Sequence, residues 1–142
     1  MHGHPQSDAH FASALINNHI YLSKVGNTEQ VVSNLQELAT VHRALAFQNP
    51  AEFRPLHALW LFTLAFSLGN LKRWQEGFEA YREAVVIYRA LASTQPAGYQ
   101  ELLAQVLNGM AWFLQELGRV DEALEAGQNS LAVWQSNGRN PP

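Results

Sequence analysis

The amino-acid sequence predicts an all-α fold of six helices, arranged as three antiparallel helix hairpins that stack on one another. One observation is an internal repeat: RALAFQNPAEF at Arg43 returns as RALASTQPAGY at Arg89, 46 residues later. Aligned without gaps, 43–88 and 89–134 are identical at sixteen positions, and the same offset extends more faintly into 1–42. The other observation is an apolar spacing of three and four residues inside each unit, which is typical of one helix face. A repeat of this length indicates an array of helical units.

Apolar stripes and the breaks between them place the helices in chain order. In the second unit, Leu61, Leu64 and Leu68 share one helix face, and Phe78 and Val85 lie on the helix that follows. The predicted helices cover residues 8–25, 28–48, 54–70, 74–93, 98–117 and 120–136. They form units at about 8–48, 54–93 and 98–136 of a single domain, 1–142, with loose ends at 1–7 and 137–142.

Glycines, prolines and one asparagine predict where the helices begin and end. Gly26 and Gly118 stand where the C-terminus of a first helix favours a left-handed residue. Asn49, followed three residues later by a glutamate, suits a capping box, and Pro55 is expected to delay the regular part of the third helix to about residue 55. Gly127 falls inside the last helix, where glycine costs about 1 kcal/mol relative to alanine. Close packing against another helix would explain it.

The segments LFTLAFSLGNLKRWQEGFEAYREAV (61–85) and LNGMAWFLQELGRVDEALEAGQNSL (107–131) resemble the tetratricopeptide repeat. In each segment a large apolar residue precedes an alanine on the first helix, as in Leu64-Ala65 and Met110-Ala111. The ordinary repeat has roughly 34 residues, so the period of 46 is similar to the variety with longer helices. The resemblance implies a right-handed α-solenoid whose first helices line a concave groove for a partner protein.

The sequence contains no residue pattern that would carry a reaction. It has no cysteine, and none of its six histidines is paired at a metal-binding spacing. The carboxylates of Glu76, Glu79, Glu122 and Glu125 recur with the repeat and lie in the first turns of helices, where the helix dipole favours anions. We therefore predict no enzyme activity, no catalytic residue, no metal site and no cofactor.

Charge and hydropathy exclude two other classes of partner. The net charge is −3, and without a basic cluster the chain is not expected to bind nucleic acid. The longest apolar run, LWLFTLAF (59–66), is eight residues and far too short to cross a membrane. The sequence predicts a cytoplasmic protein whose partner is a protein or peptide that no residue pattern identifies.

Residues that flank the core stripe of each first helix are the candidate partner-binding groove. They are Ile16, Asn17, Ile20, Lys24, Phe62, Thr63, Phe66, Asn70, Asn108, Trp112, Gln115 and Glu116. The middle of this surface is apolar and aromatic, which favours an apolar peptide or helix held by aromatic anchors. The alternative is that longer helices wind a tighter superhelix, so that these residues pack between units.

The last helix presents a second candidate surface, for self-association. Its residues Leu131, Val133 and Trp134 have no following helix in the sequence to cover them, and repeat arrays need polar caps. Either the chain is part of a larger multidomain protein, or this face pairs with another molecule, most simply as a two-fold homodimer. The sequence thus predicts a non-catalytic protein–protein interaction scaffold, with homo-oligomerisation as the alternative.

Overall fold

A computed structural model describes residues 5–136 of the chain, and this part consists of six α-helices joined by short turns. The helices are α1 (Pro5–Val25), α2 (Thr28–Gln48), α3 (Pro50–Asn70), α4 (Trp74–Thr94), α5 (Pro96–Glu116) and α6 (Val120–Ser136). The predicted all-α class and the number of helices are confirmed. Residues 1–4 and 137–142, which the sequence predicted to be loose, lie outside the described part, whereas residues 5–7 belong to α1.

The helices pack as a chain of neighbours. Each helix contacts the next one, giving the hairpins α1/α2, α3/α4 and α5/α6 and the junctions α2/α3 and α4/α5. Among the described residues, the only close backbone approach between helices that are not consecutive joins α3 to α5, whereas α1 meets α3 and α2 meets α4 through side chains. The first helices are therefore closer together than the second helices, which places α3 and α5 on the inner side of the stack.

The core is the apolar stripe that repeats every 46 residues. Leu61, Leu68, Leu107 and Leu114 are almost completely buried at equivalent positions of two units. Phe113 fills the junction between those units and is completely buried. Close packing of this kind leaves little room for a change of side-chain volume.

Small residues on α3 and α4 make room for the ring of Phe113. A Cβ atom added at Gly69 would meet the Cζ atom of Phe113 at 2.5 Å, and one added at Gly77 would meet its Cε2 atom at 2.3 Å. Helices can approach to this distance only where the side chains between them are short. The two glycines thus form a notch that receives one aromatic ring from the following unit.

The turns inside the hairpins use a left-handed residue twice. Gly118 has φ +78°, as the sequence predicted, and Lys72 with φ 58° takes the same place between α3 and α4. The prediction for Gly26 was wrong, because its φ is not positive. Its amide donates to the carbonyl of Leu22 at 2.7 Å, so α1 ends by continuing the helical hydrogen-bond pattern for one more residue.

A capping box forms at the start of α2 and not, as predicted, at the start of α3. The amide of Gln30 donates to Oδ1 of Asn27 at 2.9 Å, and the amide of Asn27 donates to Oε1 of Gln30 at 3.4 Å. At Asn49 the backbone amide already donates to the carbonyl of Leu45, where it closes α2. Glu52 therefore accepts from the side-chain amide of Asn49 instead.

Proline begins α3 and does not delay it. Pro50 occupies the first turn, where a missing amide costs no intrahelical hydrogen bond. The helix then runs through Pro55, contrary to the prediction. A proline at that position removes one hydrogen bond, to the carbonyl of Ala51, and Ala51 is exposed, so water can reach this carbonyl. Pro96 begins α5 in the same way.

Candidate functional site

Three side chains at one repeat position are half exposed on the first helices of the three hairpins. Ile20, Phe66 and Trp112 are separated by 46 residues each, and their exposed fractions are 51%, 56% and 49%. We call these three residues the apolar row. Large apolar side chains left in contact with water at the same place in every unit are typical of a binding surface rather than of a core.

The other predicted groove residues divide into two groups. Exposed polar and charged side chains border the apolar row; they are Asn17, Lys24, Asn70, Asn108, Gln115 and Glu116. Ile16, Phe62 and Thr63 are only partly exposed. The ring of Phe62 lies 6.1 Å from that of Tyr81, and the Thr63 hydroxyl donates to the carbonyl of Leu59. Phe62 therefore packs within its own hairpin and Thr63 bonds within its own helix, whereas the alternative interpretation expected packing between units.

An aromatic cluster holds Trp112 in place. Its ring centroid lies 5.7 Å from that of Trp74 and 5.4 Å from that of Phe113. Phe113 in turn meets Trp74 at 5.1 Å and Tyr81 at 5.0 Å, edge to face. Such pairs are favourable beyond the area they bury. The exposed face of Trp112 is thus presented by a rigid support.

An open groove lies between α5 and α6, with a volume of about 670 Å³. We call it the C-terminal groove. Its lining residues are Asn108, Gly109, Ala111, Trp112, Gln115, Val120, Ala123, Leu124, Gly127, Gln128 and Leu131. The structure thus brings Asn108, Trp112 and Gln115 of the predicted partner groove together with Leu131 of the predicted self-association face. Sequence reasoning missed Val120 and Leu124, although both align with core residues of the preceding unit.

The predicted self-association face is only partly available. Leu131 is exposed and Val133 is partly buried, whereas Trp134 is 7% exposed and therefore belongs to the core. The prediction for Trp134 was wrong because the end of α6 lies against the start of α5, where Nε2 of Gln100 donates to Oγ of Ser136 at 3.5 Å. Its equivalent Tyr88 is also buried, beside Tyr99 of the following unit, with 6.2 Å between the ring centroids.

Gly127 has open space beside it, and the predicted close packing at this residue was wrong. A Cβ atom added there would meet nothing within 4 Å. Replacing Gly127 with alanine should therefore raise the free energy of unfolding by about 1 kcal/mol, the usual gain in a helix interior. The matched replacement Gly77→Ala should lower it by about 1–3 kcal/mol, because the new methyl group overlaps the buried Phe113 ring.

Urea denaturation of the two glycine variants beside the original chain measures both changes. The two substitutions are chemically identical and both lie inside helices, so the difference between their changes in the free energy of unfolding reports the space beside each residue. A destabilised Gly127→Ala variant would contradict an open groove at this position.

The recurring carboxylates form ion pairs with neighbouring arginines. Arg73 donates twice to Glu76, and Arg119 donates twice to Glu122, with 2.7 Å for each of the four hydrogen bonds. Each arginine holds the pKa of its glutamate below the usual range through these hydrogen bonds. Both pairs join the turn of a hairpin to the first turn of its second helix, so they support that turn.

A separate polar cluster lies where α2, α3 and α4 meet. Arg43 donates to both carboxylate oxygens of Glu83, at 2.7 and 3.0 Å, and Nε2 of the buried His57 lies 3.4 Å from Oε2 of Glu83. Burial lowers the pKa of His57 to about 4, against the opposing attraction of Glu83. His57 is thus neutral at pH 7, and the cluster contains no nucleophile that it could activate.

Stacked hairpins of this kind define a helical-repeat protein. A scan against family models matches residues 103–136 to the tetratricopeptide repeat. The chain therefore contains a tetratricopeptide-type repeat, formed by α5 and α6, and its fold is the corresponding helical solenoid. The matched segment is shorter than the period of 46 residues, so the long variety of the repeat stays a prediction.

No curated protein matches the chain significantly. Tetratricopeptide repeats typically serve as non-catalytic scaffolds for protein partners. Within residues 5–136, no helix is both long enough and apolar enough to cross a bilayer.

Proposed function

We propose that this chain is a protein-interaction scaffold that binds an apolar segment of a partner protein along Ile20, Phe66 and Trp112. The observation that carries the proposal is the recurrence of a large, half-exposed apolar side chain at one repeat position in all three units. A partner helix or extended peptide can place apolar residues at regular intervals and so contact several units at once.

The border of the apolar row defines the chemistry of this partner. Lys24 and Glu116 are its only charged members, and Asn17, Asn70 and Asn108 supply amides that can donate and accept. A groove that grips a terminal carboxylate would need several cations, so we do not propose that mode. We expect a segment with two or three large apolar residues and little net charge.

Peptide selection tests this proposal. A displayed peptide library is enriched on the immobilised chain, and the selected peptides are measured against Phe66→Ala and Trp112→Ala by fluorescence anisotropy. We expect each substitution to weaken binding by roughly tenfold or more, as for an aromatic anchor at the centre of an interface.

Phe47→Ala is the matched control, because Phe47 is the most exposed aromatic side chain and lies on α2, away from the apolar row. Its affinity for the selected peptides should equal that of the original chain. Peptides that bind the Phe66 and Trp112 variants equally well would overturn the proposal.

Self-association is a second candidate function, and one observation favours it. Leu124 and Leu131 on α6 are 61% and 43% exposed, whereas their equivalents in the preceding unit, Phe78 and Val85, are buried. Burying such surface against another copy is favourable in proportion to the apolar area removed from water.

A further inference from the structure

The junction between α5 and the α3/α4 hairpin shows how one unit receives the next. Phe113 of α5 enters the notch at Gly69 and Gly77 and contacts the rings of Trp74 and Tyr81. Its exposed fraction is 0%. This junction is an interface within the chain. The 46-residue repeat shows which residues of α6 and of α1 occupy the equivalent positions.

The C-terminal groove lies at the corresponding place one repeat later. Moving forward by 46 residues, Gly69 becomes Gln115, Trp74 becomes Val120, Gly77 becomes Ala123 and Tyr81 becomes Gly127. All four counterparts line the C-terminal groove. Gln115 and Ala123 fill the notch that the two glycines leave open, whereas Val120 and Gly127 are smaller than the aromatic residues they replace, so the open space lies beside Val120 and Gly127.

The inserting surface of α5 has its own counterpart on α1. Leu103, Val106 and Phe113 of α5 are buried, and Phe113 contacts the preceding unit. Moving back by 92 residues, these positions and that of Leu117 become Phe11, Ala14, Tyr21 and Val25, which we call the α1 stripe.

The α1 stripe is exposed along its whole length. Tyr21, at the position of Phe113, is 62% exposed, and Val25 and Phe11 are also exposed. Within residues 5–136, the backbone of α1 packs against α2 alone, and its contact with α3 is made by His19, whose ring centroid lies 5.5 Å from that of Trp60. The chain therefore carries an inserting surface at one end and a receiving surface at the other, and both have the register of the α4/α5 junction.

We propose that two copies of this chain associate head to tail, with the α1 stripe of one copy in the C-terminal groove of the other and the ring of Tyr21 beside Val120 and Gly127. The proposal rests on the second candidate function, self-association, and names the two faces that carry it. It differs from the two-fold homodimer because the faces are different, so each further copy can extend the array or close a ring.

Charge favours this pairing. In the α4/α5 junction, the contacts of Trp74 with Trp112 and Phe113 bring the start of the second helix beside the end of the inserting helix. In the head-to-tail pair the same places are taken by the first turn of α6, where Asp121 is exposed and Glu122 is paired with Arg119, and by the last turn of α1, which contains Lys24. Asp121 and Lys24 attract each other, and each also has the sign that its own helix dipole favours.

Two charge substitutions, each blocking one face, test the proposal. Tyr21→Glu blocks the head, and Leu124→Glu blocks the tail; both side chains are exposed, so the fold should survive, and circular dichroism checks it. In sedimentation equilibrium, the original chain should form species of two and more copies of 15.9 kDa as its concentration rises. Each variant alone should stay monomeric, and an equal mixture should form a pair and nothing larger.

The other outcomes overturn the proposal in distinguishable ways. Tyr21→Glu that still dimerises alone would indicate a two-fold pairing of tails, which keeps self-association but refutes the head-to-tail geometry. An original chain that stays monomeric refutes self-association altogether and leaves the peptide experiment on the apolar row unaffected. Val86→Glu, at an exposed position of α4, is the control and should associate like the original chain.

Cross-linking tests the proposal by the formation of a product, whereas the charge variants test it by a loss of association. The chain has no cysteine, so single cysteines can be introduced without a background reaction. In the α4/α5 junction a Cβ atom at Gly109 would meet the Tyr81 ring at 2.5 Å, and the counterparts of these residues are Asn17 and Gly127. A mixture of Asn17→Cys and Gly127→Cys should be linked by a short bis-maleimide, whereas either variant alone should not. Links formed only within one variant would refute the proposal.

Discussion

Replacing Phe113 with alanine should lower the free energy of unfolding by about 3–5 kcal/mol, the usual cost of removing a completely buried phenylalanine. The ring is 0% exposed and meets Trp74, Tyr81 and Trp112 within 5.4 Å between centroids. The two glycines that surround the ring have no side chains, so they cannot move in to fill the cavity that the substitution leaves. Urea denaturation followed by circular dichroism measures the loss.

Phe66→Ala is the control for this experiment, since it removes the same ring from an exposed position one repeat earlier on the inner side. It should change the free energy of unfolding by less than about 1 kcal/mol. If Phe113→Ala cost no more than this control, the junction between the second and third units would not depend on the ring, and the notch would have no energetic role.

Acid should destabilise the chain through His57. Burial lowers the pKa of His57 from 6.5 to about 4 in the folded state, whereas the unfolded chain keeps the ordinary value. Above pH 6.5 the side chain is neutral in both states, so its contribution to stability is complete. As the pH falls from 6.5 towards 4, only the unfolded state takes up the proton, and stability is lost. The difference in pKa corresponds to a loss on the order of 3 kcal/mol.

The variant His57→Leu isolates this effect, because leucine is the residue at the equivalent buried position of the third unit, Leu103. Denaturation curves at pH 7.5 and pH 4.5 should show a smaller difference for the variant than for the original chain. Burial also lowers the pKa of His19 and His42, and both remain in the variant, so part of the acid sensitivity should persist. Equal differences for the two chains would show that His57 is protonated in the folded state.

The sequence predicted the helices well because their positions depend on which side chains must be buried. A stripe such as Leu61, Leu64 and Leu68 indicates the face of α3 whatever happens at its ends. The ends were less predictable, since several groups compete for the same free amides and carbonyls. At Asn49 the backbone of α2 takes the amide that the expected capping box needed. α3 begins at Pro50, earlier than Pro55 suggested, because the helix tolerates the loss of the one hydrogen bond that Pro55 cannot donate.

The candidate site was predictable only where side chains at one repeat position are exposed in every unit. Ile20, Phe66 and Trp112 follow from the repeat together with the direction in which α-helical side chains point. The C-terminal groove and the α1 stripe could not be found in the same way, because they depend on which neighbours are missing. Tyr21 and Phe113 occupy one repeat position, yet one is exposed and the other is buried. Their sequence environment does not distinguish them, whereas their place in the stack does.

The packing of each helix against the next along the chain has a consequence for folding. Because almost all contacts join elements that are adjacent in sequence, the chain can fold by closing short loops one hairpin at a time, and such topologies fold quickly. Such a chain does not unfold as one cooperative unit, because the free energy of unfolding of such arrays is close to a sum of terms between nearest neighbours. In the described part, the backbones of α1 and α6 each approach one neighbouring helix, whereas those of α3 and α5 each approach three. Local opening therefore begins at the two ends, so the surfaces proposed for association belong to the least protected helices of the chain.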